Sequence, residues 1–137
     1  MAGTLVSVLR RTELTVGGNQ PVVLGPQLID TLGWVSGVLI VRFYVKTTLT
    51  QNMTINVQNV MLAPEDEVNV VQATSAAGAA TYIATVTLGT ADTVGSSGNM
   101  YSAQLSTPIA RYVRVMAIPG NAASTVTVGI DLLGRSA

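Results

Sequence analysis

The sequence contains neither cysteine nor histidine. Without cysteine the chain can form no disulfide bond and can offer no thiolate to a metal ion. Without histidine it lacks the commonest general base and the commonest metal ligand of proteins. Its only lysine, Lys46, lies in an apolar strand-like run, and no G-x-S-x-G motif occurs. The sequence therefore predicts a protein that is not an enzyme and that holds no cofactor.

Charge is also scarce. Charged residues make up 10% of the chain, and the formal net charge is zero because seven basic residues balance seven acidic ones. An ordinary soluble domain has about 25% charged residues. The absence of a basic stripe predicts no direct nucleic-acid partner. A neutral, sparsely charged surface favours association, so we expect a homo-oligomer, in the form of a closed ring such as a trimer.

Hydrophobic runs are too short for a membrane span. The longest, GWVSGVLIVRFYV, is interrupted by Arg42 and is shorter than the roughly 20 residues that a spanning helix needs. At the N-terminus Arg10 and Arg11 follow the apolar run, whereas a signal peptide has its positive charge first. These features predict a protein made in the cytoplasm with no membrane partner.

The dominant positive feature is alternation with a period of two. In VLIVRFYVK (38–46), an apolar row alternates with a row containing Arg42, Tyr44 and Lys46, as expected for a strand with one buried face. Seven to nine such runs separated by Gly, Pro and Asn turns predict an all-β chain, a single antiparallel β-sandwich that is jelly-roll-like with little or no helix. GPQLIDTLGW (25–34) could form one helical turn. The predicted core comprises Leu39, Val41, Phe43, Val45, Ile55, Val57, Val86, Leu88, Val113, Val115, Val126, Val128 and Ile130.

Residues 1–24 precede the strongest alternation, and residues 25–137 are predicted to form the sandwich domain. The first segment holds two short β-prone pieces separated by Arg10 and Arg11. It is either an arm that pairs with a neighbouring chain or simply the first strands of the sandwich. In the arm interpretation, the two arginines would meet an acidic patch on the partner.

The segment ARYVRVMAIPG (110–120) contains two arginines of opposite strand parity, so a paired-arginine anion clamp is not expected. Arg111 lies at the strand start, and Arg114 shares an outward, solvated row with Tyr112 and Met116. Aromatic, arginine and methionine side chains are enriched in protein interfaces. Trp34 opens the most hydrophobic strand, which favours core or inter-subunit packing. The interface candidates are therefore Arg10, Arg11, Trp34, Tyr112, Arg114 and Met116.

Three consecutive acids, Glu65, Asp66 and Glu67, lie in APEDEV. Clustered oxygen ligands suit Ca²⁺, which makes them weak metal candidates. Adjacent side chains do not converge on one ion in an ordinary backbone, so the pattern favours a solvated turn that blocks edge-to-edge strand pairing.

Three segments carry a family resemblance: WVSGVLIVRFYVKTTLTQNMTINVQNVMLAP, YSAQLSTPIARYVRVMAIPGNAAS and TVTVGIDLLGR. Together they resemble the small β-sandwich accessory proteins of tailed-bacteriophage virions, of the head-decoration or head-fibre type. The resemblance implies a non-enzymatic virion protein that is assembled in the host cytoplasm. Its implied partners are copies of itself and a major capsid or other shell protein. The ARYVRV strand also resembles discoidin-like carbohydrate-binding sandwiches, so a carbohydrate-binding module is the alternative. A Ca²⁺-stabilised adhesin domain is a further one.

Overall fold

The computed structural model describes residues 3–60 and 81–137, and every regular element within these ranges is a β-strand. The alternation of apolar and polar side chains explains this, because one face of each strand can be buried while the other meets water. The strands are β1 (Gly3–Val16), β2 (Val22–Asp30), β3 (Trp34–Thr48), β4 (Met53–Val60), β5 (Thr81–Leu88), β6 (Asn99–Gln104), β7 (Tyr112–Ile118) and β8 (Ser124–Ser136).

The strands form two four-stranded antiparallel sheets. Sheet A has the order β1-β8-β3-β6, and sheet B has the order β2-β7-β4-β5. The pairs are nested: β4 pairs with β5, β3 with β6, β2 with β7, and β1 with β8. The chain is thus one long hairpin rolled up so that successive pairs alternate between the sheets. This arrangement is a jelly roll and confirms the predicted fold class.

The core lies between the two sheets. Of the thirteen predicted core residues, twelve are buried; Phe43, Leu39 and Ile55 have no exposed surface at all. Full burial of each such side chain contributes about 1.5–3 kcal/mol relative to exposure. Val45 is the exception, with 42% of its surface exposed. A β-bulge between Phe43 and Val45 inserts Tyr44 as an extra residue and turns Val45 to the outward face.

One prediction about local structure is wrong. The segment proposed for a helical turn lies largely in β2, which continues to Asp30 through a register shift between Leu24 and Ile29. In addition, the alternation of side chains did not predict β6, which begins at Asn99. This strand forms because its backbone pairs with β3, although its own side chains alternate only weakly in polarity.

Residues 3–16 form an edge strand of sheet A that pairs with β8 of the same chain. Val8 and Val16 from this strand are buried in the core. The sequence also predicts a short strand at Val68–Gln72. This segment and the acidic residues Glu65, Asp66 and Glu67 lie outside the described residues. Within 3–60 and 81–137, no helix has the length and hydrophobicity needed to cross a membrane.

Candidate interaction surface

A shallow groove crosses the outward side of sheet A and brings together residues from all four of its strands. We call this surface the sheet A face. Its members used below are Leu5, Arg10, Arg11, Ile40, Arg42, Tyr44, Met100 and Asp131.

Tyr44 occupies the centre of the sheet A face because Gly129 leaves room for it. If Gly129 carried a Cβ atom, that atom would lie 3.2 Å from Cε2 of Tyr44. The phenol ring therefore covers the backbone of β8 where other residues would place a side chain. Since β8 lies between β1 and β3, this position lets Tyr44 of β3 reach across to Arg11 of β1.

Two guanidinium groups approach the same ring. The Cζ atom of Arg11 lies 4.6 Å from the centroid of Tyr44, and that of Arg42 lies 5.9 Å away. Both distances fall within the range of cation–π attraction. Arg11 reaches the ring because β1 is irregular between Leu9 and Thr12, where it has one residue more than β8. The bulge leaves Arg10 and Arg11 both exposed.

The sheet A face carries an excess of positive charge. Arg10, Arg11 and Arg42 form no salt bridge with any described residue, and Arg42 Nη2 instead lies 3.9 Å from the sulfur of Met100. Of the described residues that line the groove, Asp131 alone is acidic. The single salt bridge between two described residues, Arg111 with Asp30 at 3.8 Å, lies elsewhere on the molecule.

Large apolar side chains lie beside these charges. Leu5 is 64% exposed, Met100 is 62% exposed, and Leu133, which pairs with Leu5 across β1 and β8, is 42% exposed. Ile40 lies between them on β3 and is partly exposed. An outward face that combines arginine, tyrosine, methionine and leucine has the composition of a protein–protein interface, and its apolar part is unusual for a solvated sheet surface.

The predicted interface candidates are dispersed. Arg10 and Arg11 belong to the sheet A face. Trp34 is partly buried against the core at one end of the sandwich, where its ring occupies the space that a side chain on Gly134 would need. Tyr112 is partly buried and carries the guanidinium of Arg111 at 4.9 Å from its ring centroid.

The expectation that Arg114 and Met116 lie on a solvated row is wrong. Both side chains are only 2% exposed, although they do point away from the core on β7. Arg114 Nε donates a hydrogen bond of 2.6 Å to Oε1 of Gln58, its direct cross-strand neighbour, and Gln58 is itself buried. Burial lowers the pKa of the Arg114 guanidinium, and Tyr82 acts in the opposite direction. As placed, these two residues are not available to an external partner.

Sequence reasoning identified Arg42 and Tyr44 as outward residues but did not single them out. The available signal was the shared parity of Ile40, Arg42 and Tyr44, together with the outward position of Gly129 on the closing strand. Leu5 and Met100 gave no signal, because an isolated apolar residue in a short strand is ordinary. Among the described residues, no three acidic, histidine or cysteine side chains are grouped so that they could hold a metal ion.

No protein-family model matches the sequence, and no curated protein matches it. Among solved structures, the chain is similar to one described as "Bacillus endospore appendages form a novel family of disulfide-linked pili", with a TM-score of 0.48 and 13% identity over 100% of this chain and 93% of that chain. It is also similar to a crystal structure of PirA, with a TM-score of 0.34 and 14% identity over 96% and 91% of the two chains. Neither description names a phage head protein. The pili of the first structure are disulfide-linked, whereas this chain contains no cysteine.

Proposed function

We propose that this protein is a non-enzymatic structural subunit that associates with copies of itself and with a protein shell, as a decoration or shell-associated protein of a phage-like particle does. The observation that carries the proposal is the sheet A face, on which exposed Leu5 and Met100 lie beside Arg11, Arg42 and Tyr44. Such a surface is costly to leave in water and suits burial against another protein.

The fold is compatible with this role. The jelly roll is the architecture of many viral capsid domains, although it also occurs in lectins. Fold alone does not assign a function, so it adds only a fold-level analogy to the argument from the surface. The resemblance of the sequence to head-decoration proteins supplies the finer proposal that the partner is a capsid-type shell.

The alternative, a carbohydrate-binding module, would need exposed aromatic ring faces that can stack on sugars. Tyr44 and Tyr112 each carry a guanidinium within 5 Å of the ring centroid, at 4.6 and 4.9 Å. Trp34 packs over Gly134. These three rings already contact groups of the chain itself, which favours the structural role, whereas Tyr82 is an aromatic side chain that stays 38% exposed.

Sedimentation velocity of the full chain at micromolar concentrations tests self-association, and negative-stain microscopy shows whether the product is a ring or a fibre. We expect oligomers. A chain that remains monomeric and does not bind a shell would refute the proposal. The finer assignment predicts that a portal, protease or major-capsid gene lies beside the gene for this chain, and that the chain co-sediments with the assembled shell.

A further inference from the structure

The sheet A face holds hydrogen-bond donors that the described part of the chain does not use. The guanidinium groups of Arg10 and Arg11 donate no hydrogen bond to a described residue, and that of Arg42 reaches only the sulfur of Met100, at 3.9 Å. Arg11 and Arg42 lie close to the ring of Tyr44, and cation–π contact restrains each group without consuming its N–H donors. Two restrained guanidinium groups beside one ring are therefore available to acceptors from outside the chain.

These acceptors are expected to be negatively charged. Arg10, Arg11 and Arg42 line the groove with one described carboxylate, that of Asp131. Glu13 is exposed further along β1, and neither acid forms a salt bridge with a described residue. Like charges held near one another raise the free energy of the surface, and an anionic partner relieves that repulsion. The face therefore selects its partner by charge.

A second copy of the described chain supplies this charge poorly. A two-fold contact uses the same patch on both copies, so it would place the arginines of one face against those of the other, and like charges across an interface are unfavourable. Elsewhere on the described chain the remaining acids are already engaged. Asp30 pairs with Arg111, and Asp92 accepts a hydrogen bond of 2.7 Å from the backbone N–H of Gly89. The described residues therefore favour a different protein as the partner.

The apolar part of the face sets a second requirement. Leu133, which is 42% exposed, lies four residues from Gly129 along β8, and Gly129 is the cross-strand neighbour of Arg42. Leu5 pairs with Leu133 and is 64% exposed. At about 3.4 Å per residue, the exposed leucines lie roughly 13 Å along the strands from the arginine. A matching partner carries apolar side chains at a similar distance from its carboxylates.

We propose that the sheet A face binds an acidic and partly apolar surface of the shell protein, whose carboxylates bind Arg11 and Arg42. Guanidinium groups form two-point hydrogen bonds with carboxylates, and groups that a neighbouring ring already restrains lose less conformational freedom on binding. Exposed Leu5 and Met100 contact the apolar part of the partner. The inference rests on the proposed function, because it names the chemistry of the shell that the subunit binds. It also assigns self-association to a different part of the molecule.

Defined polymers serve as probes for the chemistry of the partner. Fluorescence anisotropy compares a labelled random copolymer of glutamate and tyrosine with poly-glutamate of the same length and with a DNA duplex. We expect the copolymer to bind about tenfold more tightly than poly-glutamate, because only the copolymer offers apolar groups to Leu5 and Met100. Its binding should weaken as salt is added. The DNA duplex, which offers charge without exposed apolar groups, should bind more weakly than the copolymer.

Arg11→Glu and Arg42→Glu are the variants that oppose the proposed contact. Arg135→Glu is the matched control with the same change in net charge, because Arg135 is an exposed arginine of sheet A that does not line the groove. We expect each test variant to bind the copolymer about tenfold more weakly and the control to bind it nearly as the unmodified chain does. Leu5→Ser should weaken binding of the copolymer but not of poly-glutamate. All four variants should melt normally, since the replaced side chains are exposed.

The outcomes separate this inference from the proposed function. A DNA duplex that binds as tightly as the copolymer, or arginine variants that bind the copolymer as the control does, would overturn the inference alone. Loss of self-association in Arg11→Glu and Arg42→Glu would overturn it as well, because the face would then join copies of the chain. An unmodified chain that stays monomeric and binds no shell refutes the proposed function, whereas the polymer measurements still decide the chemistry of the face.

Discussion

Replacing Gly25 by alanine should destabilise the fold more than its position in an edge strand would suggest. Gly25 has a positive φ of 72°, a conformation in which a Cβ atom costs roughly 1–2 kcal/mol. An added Cβ would also lie 2.2 Å from the carbonyl oxygen of Val8 and 2.9 Å from its Cγ1 atom. Val8 belongs to β1 and is buried where the edges of the two sheets meet, so neither strand can withdraw without disturbing the core.

The expected cost combines both effects. Overpacking a filled interior costs about 1–3 kcal/mol, so together with the backbone strain we expect Gly25→Ala to lose about 2–5 kcal/mol of unfolding free energy. Gly18→Ala is the matched control, because Gly18 has a similar φ of 67° but no heavy atom within 4 Å of the added Cβ. The control should lose only the strain, about 1–2 kcal/mol. The effect of alanine on the unfolded chain is common to both variants and cancels in the comparison.

Urea unfolding followed by the fluorescence of Trp34, the only tryptophan, measures both values. With a urea m-value of about 2 kcal/mol/M, in the middle of the usual range, the loss of about 2–5 kcal/mol should lower the midpoint of Gly25→Ala by roughly 1–2.5 M. Circular dichroism at 218 nm (a strand wavelength) checks that the two probes report one transition. If Gly25→Ala were no less stable than Gly18→Ala, the close approach of β1 and β2 would not exist in solution.

Three further predictions concern the core, the buried arginine and the first strand. Val115→Asp should unfold the protein, because it puts an uncompensated charge at a position with no exposed surface. Val45→Asp, at a position that is 42% exposed, should change the melting temperature little. Similar melting temperatures of the two variants would contradict the assignment of strand faces. Gln58→Leu should lower the free energy of unfolding by about 1.5–3 kcal/mol, because it removes a buried acceptor from a charged donor. In a double-mutant cycle with Arg114→Met, the double variant should lose less stability than the two single variants added together. Strict additivity would argue against coupling through the 2.6 Å hydrogen bond. Deleting residues 2–18 removes β1, which pairs with β8 at the edge of sheet A, so thermal melting of the truncated chain should lose its cooperativity. A truncated chain that melts normally but no longer assembles would instead support the arm interpretation.

The alternation of side chains predicted most of the core. Leu39, Val41 and Phe43 share one face of β3 because successive residues of a strand point to opposite sides, and all three are fully buried. The same rule failed two residues later at Val45, since the bulge after Phe43 reverses the parity of Val45 and Lys46, before a second register shift ahead of Thr48. A bulge is stabilised by the partner strand, and the sequence of β3 does not reveal it.

The buried Arg114 shows a second limit of the same kind. Parity correctly placed it on the side of sheet B that faces away from the core, but parity does not say whether that side is covered. Its cross-strand neighbour Gln58 is separated from it by 56 residues. A pair so distant in sequence becomes visible only when the pairing of β4 with β7 is known.

Composition and local periodicity determined by themselves that this protein has no disulfide or histidine chemistry and that it folds as a β-sandwich. These properties depend only on which side chains are present and on the fixed geometry of the pleated strand. The tertiary structure decided which strands pair, and it placed Tyr44 over Gly129 between Arg11 and Arg42. That cluster joins β1, β3 and β8, which meet only after distant segments have closed against one another. The choice among such closures depends on the competition between chain entropy and the packing of the whole core, which no local stretch of the sequence encodes.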